Sequence, residues 1–130
     1  MAHPFQEVYD IVFKTCLESG YDTVHELPEP SEGQDLSRLF VQVGEQYGDD
    51  KHNKSAVFGR VNQTIHVFGP IDNRGNILNA IEEIMFKLRA LTCTKHYYIT
   101  VATTNTQVTR DTSTVVTMWH GLIDVGFKFY

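Results

Sequence analysis

Little in this 130-residue chain points to a covalent or metal-based scaffold. Its two cysteines, Cys16 and Cys93, each close a helical pattern, and neither belongs to a CxxC or Cys/His spacing. A disulfide framework and a cysteine-held metal are thereby excluded as organising elements. Both residues read as buried free thiols, suited to a reducing compartment. Positive charge is also scarce. Eleven Lys and Arg against sixteen Asp and Glu give a net charge of −5, and no segment gathers more than two bases closely. That excludes a general basic footprint for nucleic acid. There is no apolar run of membrane-spanning length, and Met1-Ala2-His3-Pro4 lacks the charged start of a leader. Synthesis and use in a cytoplasm, without a membrane, is the expectation.

What remains is ordinary globular material, 42% hydrophobic with 12% aromatics, on a length that suits one domain over residues 1–130. A first helix is predicted from Pro4, which is tolerated in a first turn. Phe5, Val8, Tyr9, Val12, Phe13 and Cys16 make its apolar stripe, while Gln6, Glu7, Asp10 and Lys14 fall mainly opposite. Gly20 is placed to supply a left-handed cap. Tyr21–Leu27, Phe40–Gln46 and Val57–Phe68 read as strands, with Gly48–Ser55 as a charged turn. In the third, Val57, Val61, Ile65 and Val67 share one face, and Arg60, Asn62, Thr64 and His66 the other. A second helix carries Ile77, Ile81, Ile84, Met85, Leu88 and Leu91 on its stripe.

The last third reads as a long hairpin, Tyr97–Thr109 and Val115–Tyr130, around the polar turn Arg110–Thr114. Its second run of 16 residues would reach about 50 Å if straight. A domain of this size has a diameter of only roughly 36 Å. The hairpin must therefore bend, with Gly121 and Gly126 as the hinges, or project. Pairing about Thr112 sets Tyr97, Ile99 and Val101 against Phe127, Val125 and Ile123, an apolar ladder at the base. The distal half mixes threonine with Val115, Val116, Met118 and Trp119, which favours a projecting arm buried against another subunit. The order of elements, without βαβ alternation, predicts an α+β fold. It should hold a mostly antiparallel sheet of about four or five strands, packed by two helices, with the long C-terminal hairpin.

Catalytic and metal signatures are weak. The six histidines (His3, His25, His52, His66, His96, His120) form no HxH, HExxH or Cys/His pair. Glu45, Asp49 and Asp50 lie close together but lack EF-hand spacing, and Lys51 and Lys54 offset their charge. There is no phosphate cradle and no GxSxG elbow. Asn53-Lys54-Ser55 matches a glycosylation sequon, but no secretory signal accompanies it. Trp119, Tyr97 and Tyr98 could stack on single-stranded nucleic acid only beside a basic groove, which is lacking. No catalytic residue, cofactor or metal is predicted. The candidate functional residues form an assembly interface: Asp49, Asp50, Lys51, His52 and Lys54 on the charged turn, and Val116, Met118, Trp119 and His120 on the hairpin.

With these residues in view, the chain resembles the small tail-terminator or tail-completion proteins of long-tailed, non-contractile bacteriophages, especially those of Gram-positive hosts. The likeness rests on the element order and on several strings. These are Pro4-Phe5-Gln6-Glu7-Val8-Tyr9-Asp10-Ile11-Val12, the break Glu26-Leu27-Pro28-Glu29-Pro30, the block FVQVGEQYGDDKHNKSAVFGRVNQTIHVF over Phe40–Phe68, and Asn73-Arg74-Gly75-Asn76. It spans nearly the whole chain, and its motifs are structural.

The resemblance implies a virion protein at the head-proximal end of the tail, assembled in the host cytoplasm. Such proteins form a ring, typically a hexamer, on the last ring of tail tube protein and stop elongation. The other face of the ring meets the head connector, and DNA passes through the hole without sequence-specific binding. An acidic balance is compatible with a DNA conduit, since a basic lumen would hold phosphates. Two alternatives stand beside this reading. One is another neck protein, a head-completion or connector ring. The other is a small α+β enzyme using His66 or His120 with a nearby acid.

Overall fold

The computed structural model describes residues 3–25, 39–52, 57–72, 74–111 and 118–130, and for 49–52, 57, 58 and 111 the backbone. Helix α1 spans Pro4–Glu18. His3 caps it, its Nδ1 accepting the Phe5 N–H at 3.2 Å, and Pro4 occupies the first turn, where a missing donor costs nothing. Val8, Val12 and Cys16, spaced by four, are fully buried. Gly20, at φ +90°, ends the segment in the left-handed conformation that glycine adopts without strain.

Strands β1 (Asp22–Val24), β2 (Phe40–His52) and β3 (Val57–Pro70) precede helix α2 (Arg74–Arg89), and β4 (Ile99–Asp111) and β5 (Met118–Phe129) follow it. They form one five-stranded sheet in the order β1-β2-β3-β5-β4, antiparallel throughout except for the parallel β1–β2 pair. The fold is α+β, as its element order predicts.

Both helices cover one face of this sheet. Val41, Val43, Val61, Ile65, Val67, Ile99, Ile123, Val125, Phe127 and Phe129 point into a single core with the stripes of α1 and α2. The period-two alternation of the strands and the three-to-four spacing of the helices meet there. Each large apolar side chain so buried contributes about 1.5–3 kcal/mol before chain entropy is subtracted. Gln63 is a polar residue fully buried on the core face. Its Nε2 donates to the carbonyls of Gly44 at 3.0 Å and Thr64 at 2.9 Å. It thereby satisfies the backbone where β2 bulges between Val43 and Gln46.

Several expectations are corrected. β2 runs on to His52, so most of the supposed Gly48–Ser55 turn is strand, paired residue by residue with Val57–Val61. The C-terminal hairpin sets Val101, not Tyr97, opposite Phe127, a displacement of four residues from pairing about Thr112. An even slip keeps the same faces at the base, which is why alternation alone could not detect it. A bulge between Val101 and Thr103 then reverses the facing of the rest of β4. Nor does β5 project, since it is paired with β3 from Met118 to Phe129 without a register break.

Gly121 and Gly126 are points of close approach. A Cβ at Gly121 would meet Ile81 Cδ1 at 2.8 Å, and one at Gly126 would meet Thr103 Oγ1 at 2.3 Å. Cys93 is exposed, and only Cys16 is the buried thiol expected of both.

Candidate assembly surfaces

With both helices on one side, the opposite face of the sheet is left open by them. Its side chains come from Arg60, Asn62, Thr64 and His66 on β3 and from His120, Leu122, Asp124 and Lys128 on β5. Past the bulge, Thr103, Asn105, Gln107 and Thr109 of β4 join them. Here Tyr47 donates to Asp124 Oδ2 at 2.6 Å and accepts from Asn62 Nδ2 at 2.9 Å, linking β2, β3 and β5 through side chains. That hydrogen bond to Asp124 is the main cause raising the Tyr47 phenol above its ordinary range. At the far end Phe40, Phe68 and Met118 form a second, small core. Phe68 stacks on Phe40 at 5.1 Å and on His120 at 4.5 Å.

His66 and His120 meet on this face, Nδ1 to Nε2, at 2.7 Å. Glu45 Oε2 lies 3.5 Å from His66 Nε2. The Glu45 carboxyl is held below its usual range, first by its own backbone N–H and then by His66. The acid beside a histidine that a catalytic reading would require is therefore present. Among the described residues, however, no group of three His, Cys, Asp or Glu side chains could hold a metal ion.

The interface residues expected from sequence are spread apart. Asp49, Asp50, Lys51 and His52 lie on the distal part of β2, while Lys54 and Val116 fall outside the described residues. Met118, 1% exposed, is enclosed within the chain. Trp119 is half-buried on the core side; its indole N–H donates to the Ile71 carbonyl at 2.9 Å. The guanidinium carbons of Arg74 and Arg110 stand 5.6 and 5.5 Å from its ring, within cation–π range. His120 is half-buried on the open face.

Three features escaped the sequence reading. Glu7, assigned to the outer side of α1, is 6% exposed. It accepts bonds from Thr94 Oγ1 at 2.9 Å, the His96 N–H at 2.8 Å and His96 Nδ1 at 2.7 Å. Burial pushes this carboxyl up, but the bonds from His96 and Thr94 outweigh it and hold it below the ordinary range. Phe86, 74% exposed, stands out on the side of α2 away from its core stripe, and Leu78, 41% exposed, lies at the margin of that stripe. Finally, Ala102 to Gln107 of β4 are exposed on both sides of the strand. Only the last could have been foreseen, from the run of Thr, Asn and Gln.

No protein-family model matches the chain, and no curated protein matches it. Among solved structures, it resembles a chain described as "Virion of native gene transfer agent (GTA) particle", with a TM-score of 0.61 and 11% identity. The match covers 94% of this chain and 92% of that one. At that identity the likeness establishes a shared fold over almost the full length of both.

Proposed function

We propose that this protein is a structural subunit of a phage-like virion, and specifically a tail terminator. In this reading its copies form a ring, hexameric by the resemblance, that caps the tail tube and ends elongation. The same ring offers its other face to the head connector. The observation that carries the virion assignment is the end-to-end likeness to a chain of a gene transfer agent virion. The net charge of −5 is compatible with a channel that lets DNA pass without holding it. The distal part of β2, with Asp49, Asp50, Lys51 and His52, is assigned together with Lys54 to the axial contact with tube or connector. Trp119 and His120 are assigned to contacts between neighbouring copies. The protein acts by docking and not by turnover.

Deleting the gene and measuring tails by electron microscopy tests the role. Tails of uncontrolled length establish termination. Tails of normal length beside filled but leaking heads would instead assign the protein to head completion. The double charge reversal Asp49→Lys/Asp50→Lys tests the axial contact. Asp49 pairs with Arg60 across the ladder, so folding of the variant is checked by circular dichroism; the folded variant should fail to join heads to tails. Infectious particles formed at the wild-type rate would end that assignment.

A further inference from the structure

β4 closes one end of the sheet, and the hydrogen-bond pattern shows which of its residues face outward. Tyr98 and Tyr130 exchange both backbone bonds, at 2.9 and 3.0 Å. The even-numbered residues of β5 therefore turn their polar groups toward β4. β5 carries no register break against β3, so this alternation persists to Met118. Gly126, Asp124, Leu122 and His120 thus engage Thr103, Asn105, Gln107 and Thr109. Thr104, Thr106, Val108 and Arg110 direct their N–H and C=O groups away from the sheet. Upstream, the Ile99 N–H is already taken by the Thr92 carbonyl at 3.0 Å, so the open edge starts past the bulge. A recess of about 290 Å³, lined by Arg89 and residues 100–104, opens where that edge begins.

Proteins that work alone blunt such edges with charge, proline or a very short strand. This one has 13 residues, with neither a charge nor a proline between Ile99 and Thr109. Its bulge lies at Val101–Thr103, before the open stretch, and Arg110 brings the first charge only at the far end of that stretch. The opposite border of the sheet supplies a complement. β1 and β2 run parallel to each other, and the antiparallel succession β2-β3-β5-β4 makes both run opposite to β4. Rotating one copy beside another therefore presents the β1–β2 border to β4 in the antiparallel sense, the more stable pairing. A contact that joins two different borders is heterologous and closes into a ring when the rotation closes.

We infer that the outer edge of β4, through Thr104, Thr106, Val108 and Arg110, pairs with the β1–β2 border of a second copy. The sheet then continues from subunit to subunit. This rests on the ring reading above and names the contact that builds the ring. Backbone amide exchange, residue by residue, tests it in the isolated chain and in assembled particles. The amides of Thr104, Thr106 and Val108 should slow by roughly tenfold or more on assembly, because pairing removes them from water. Thr106→Pro removes an outward donor without touching the β4–β5 ladder, and edge strands admit proline. It should leave the monomer's circular dichroism and thermal midpoint unchanged and abolish ring formation.

Rings that retain fast exchange at these three amides would overturn the β4 contact while leaving the ring reading intact. Protection that appears only when tube protein is added, and not between copies, would overturn it as well. Finding the wild-type protein single-copy in particles would sink the ring reading itself, and this contact with it. The wild-type exchange measurement decides the matter even if the proline variant misfolds.

Discussion

Glu7 shows what a single residue can hold together. Its carboxylate gathers three bonds from Thr94 and His96, fastening α1 to the connector between α2 and β4. A native carboxyl held below its ordinary pKa contributes stability that is complete above the unfolded value, about 4.3. That contribution is lost as pH falls through the native value. The melting temperature of Glu7→Gln should therefore lie well below wild type at pH 7, with the gap narrowing as the solution is acidified below the unfolded value. Losing a charged acceptor from a buried site costs about 1–3 kcal/mol. An unchanged gap across that range would show that the charge contributes nothing.

The helical pattern could not reveal this role, because the partners are 87 and 89 positions away. The cysteines separate just as sharply. Burial pushes the Cys16 thiol up to about 12, and the side chain is fully enclosed, whereas Cys93 is exposed. A thiol reagent should modify one cysteine of the native protein rapidly and the second only on unfolding, with mass mapping placing the fast adduct on Cys93. Rapid modification of both would contradict the burial of Cys16.

At the scale of elements, periodicity carried most of the information. Both helices and the core faces of β3 and β5 were legible because a stripe or an alternation repeats over ten or more residues. What it could not carry was register. Val101 and Tyr97 both suit a place opposite Phe127 by hydrophobicity, and alternation allows either. The pairing carried on to Asp111 opposite Met118 shows which is adopted. The bulge after Val101 was equally hidden, since no glycine or proline marks it. Gly121 and Gly126 stand out in the sequence, but the close approaches they permit depend on α2 and β4 and are not visible there.

Gly121 lies where α2 approaches β5, and an added methyl would meet Ile81 Cδ1 at 2.8 Å and Ile77 Cγ2 at 3.2 Å. Gly121→Ala should consequently destabilise the protein by about 1–3 kcal/mol through overpacking, read as a lower urea midpoint with an unchanged slope. Pairing it with Ile81→Val, which removes the colliding methyl, should recover part of the loss. No recovery would mean that the cost arises elsewhere in the strand.

For the whole molecule, the decisive fact is that α1, α2 and strands β2 to β5 all bury side chains in the same cluster. Among the described residues the open face holds Phe40, Phe68 and Met118 as a second cluster, too small to fold without the first. Both helices pack on this face of the sheet and against each other, and a helix of 15 or 16 residues is marginal in water without such packing. Removing either helix would expose apolar strand residues that the sheet cannot cover from its other side. Unfolding in urea should therefore be a single transition, with helical circular dichroism, Trp119 fluorescence and amide exchange at Ile65 and Ile123 changing together. Trp119 is an informative probe because its indole reports the junction of α2 with the end of β5. Loss of its signal at lower urea than the helical signal would show that this end opens separately. In that event β4, paired only to β5 among the described strands, would be the first element released.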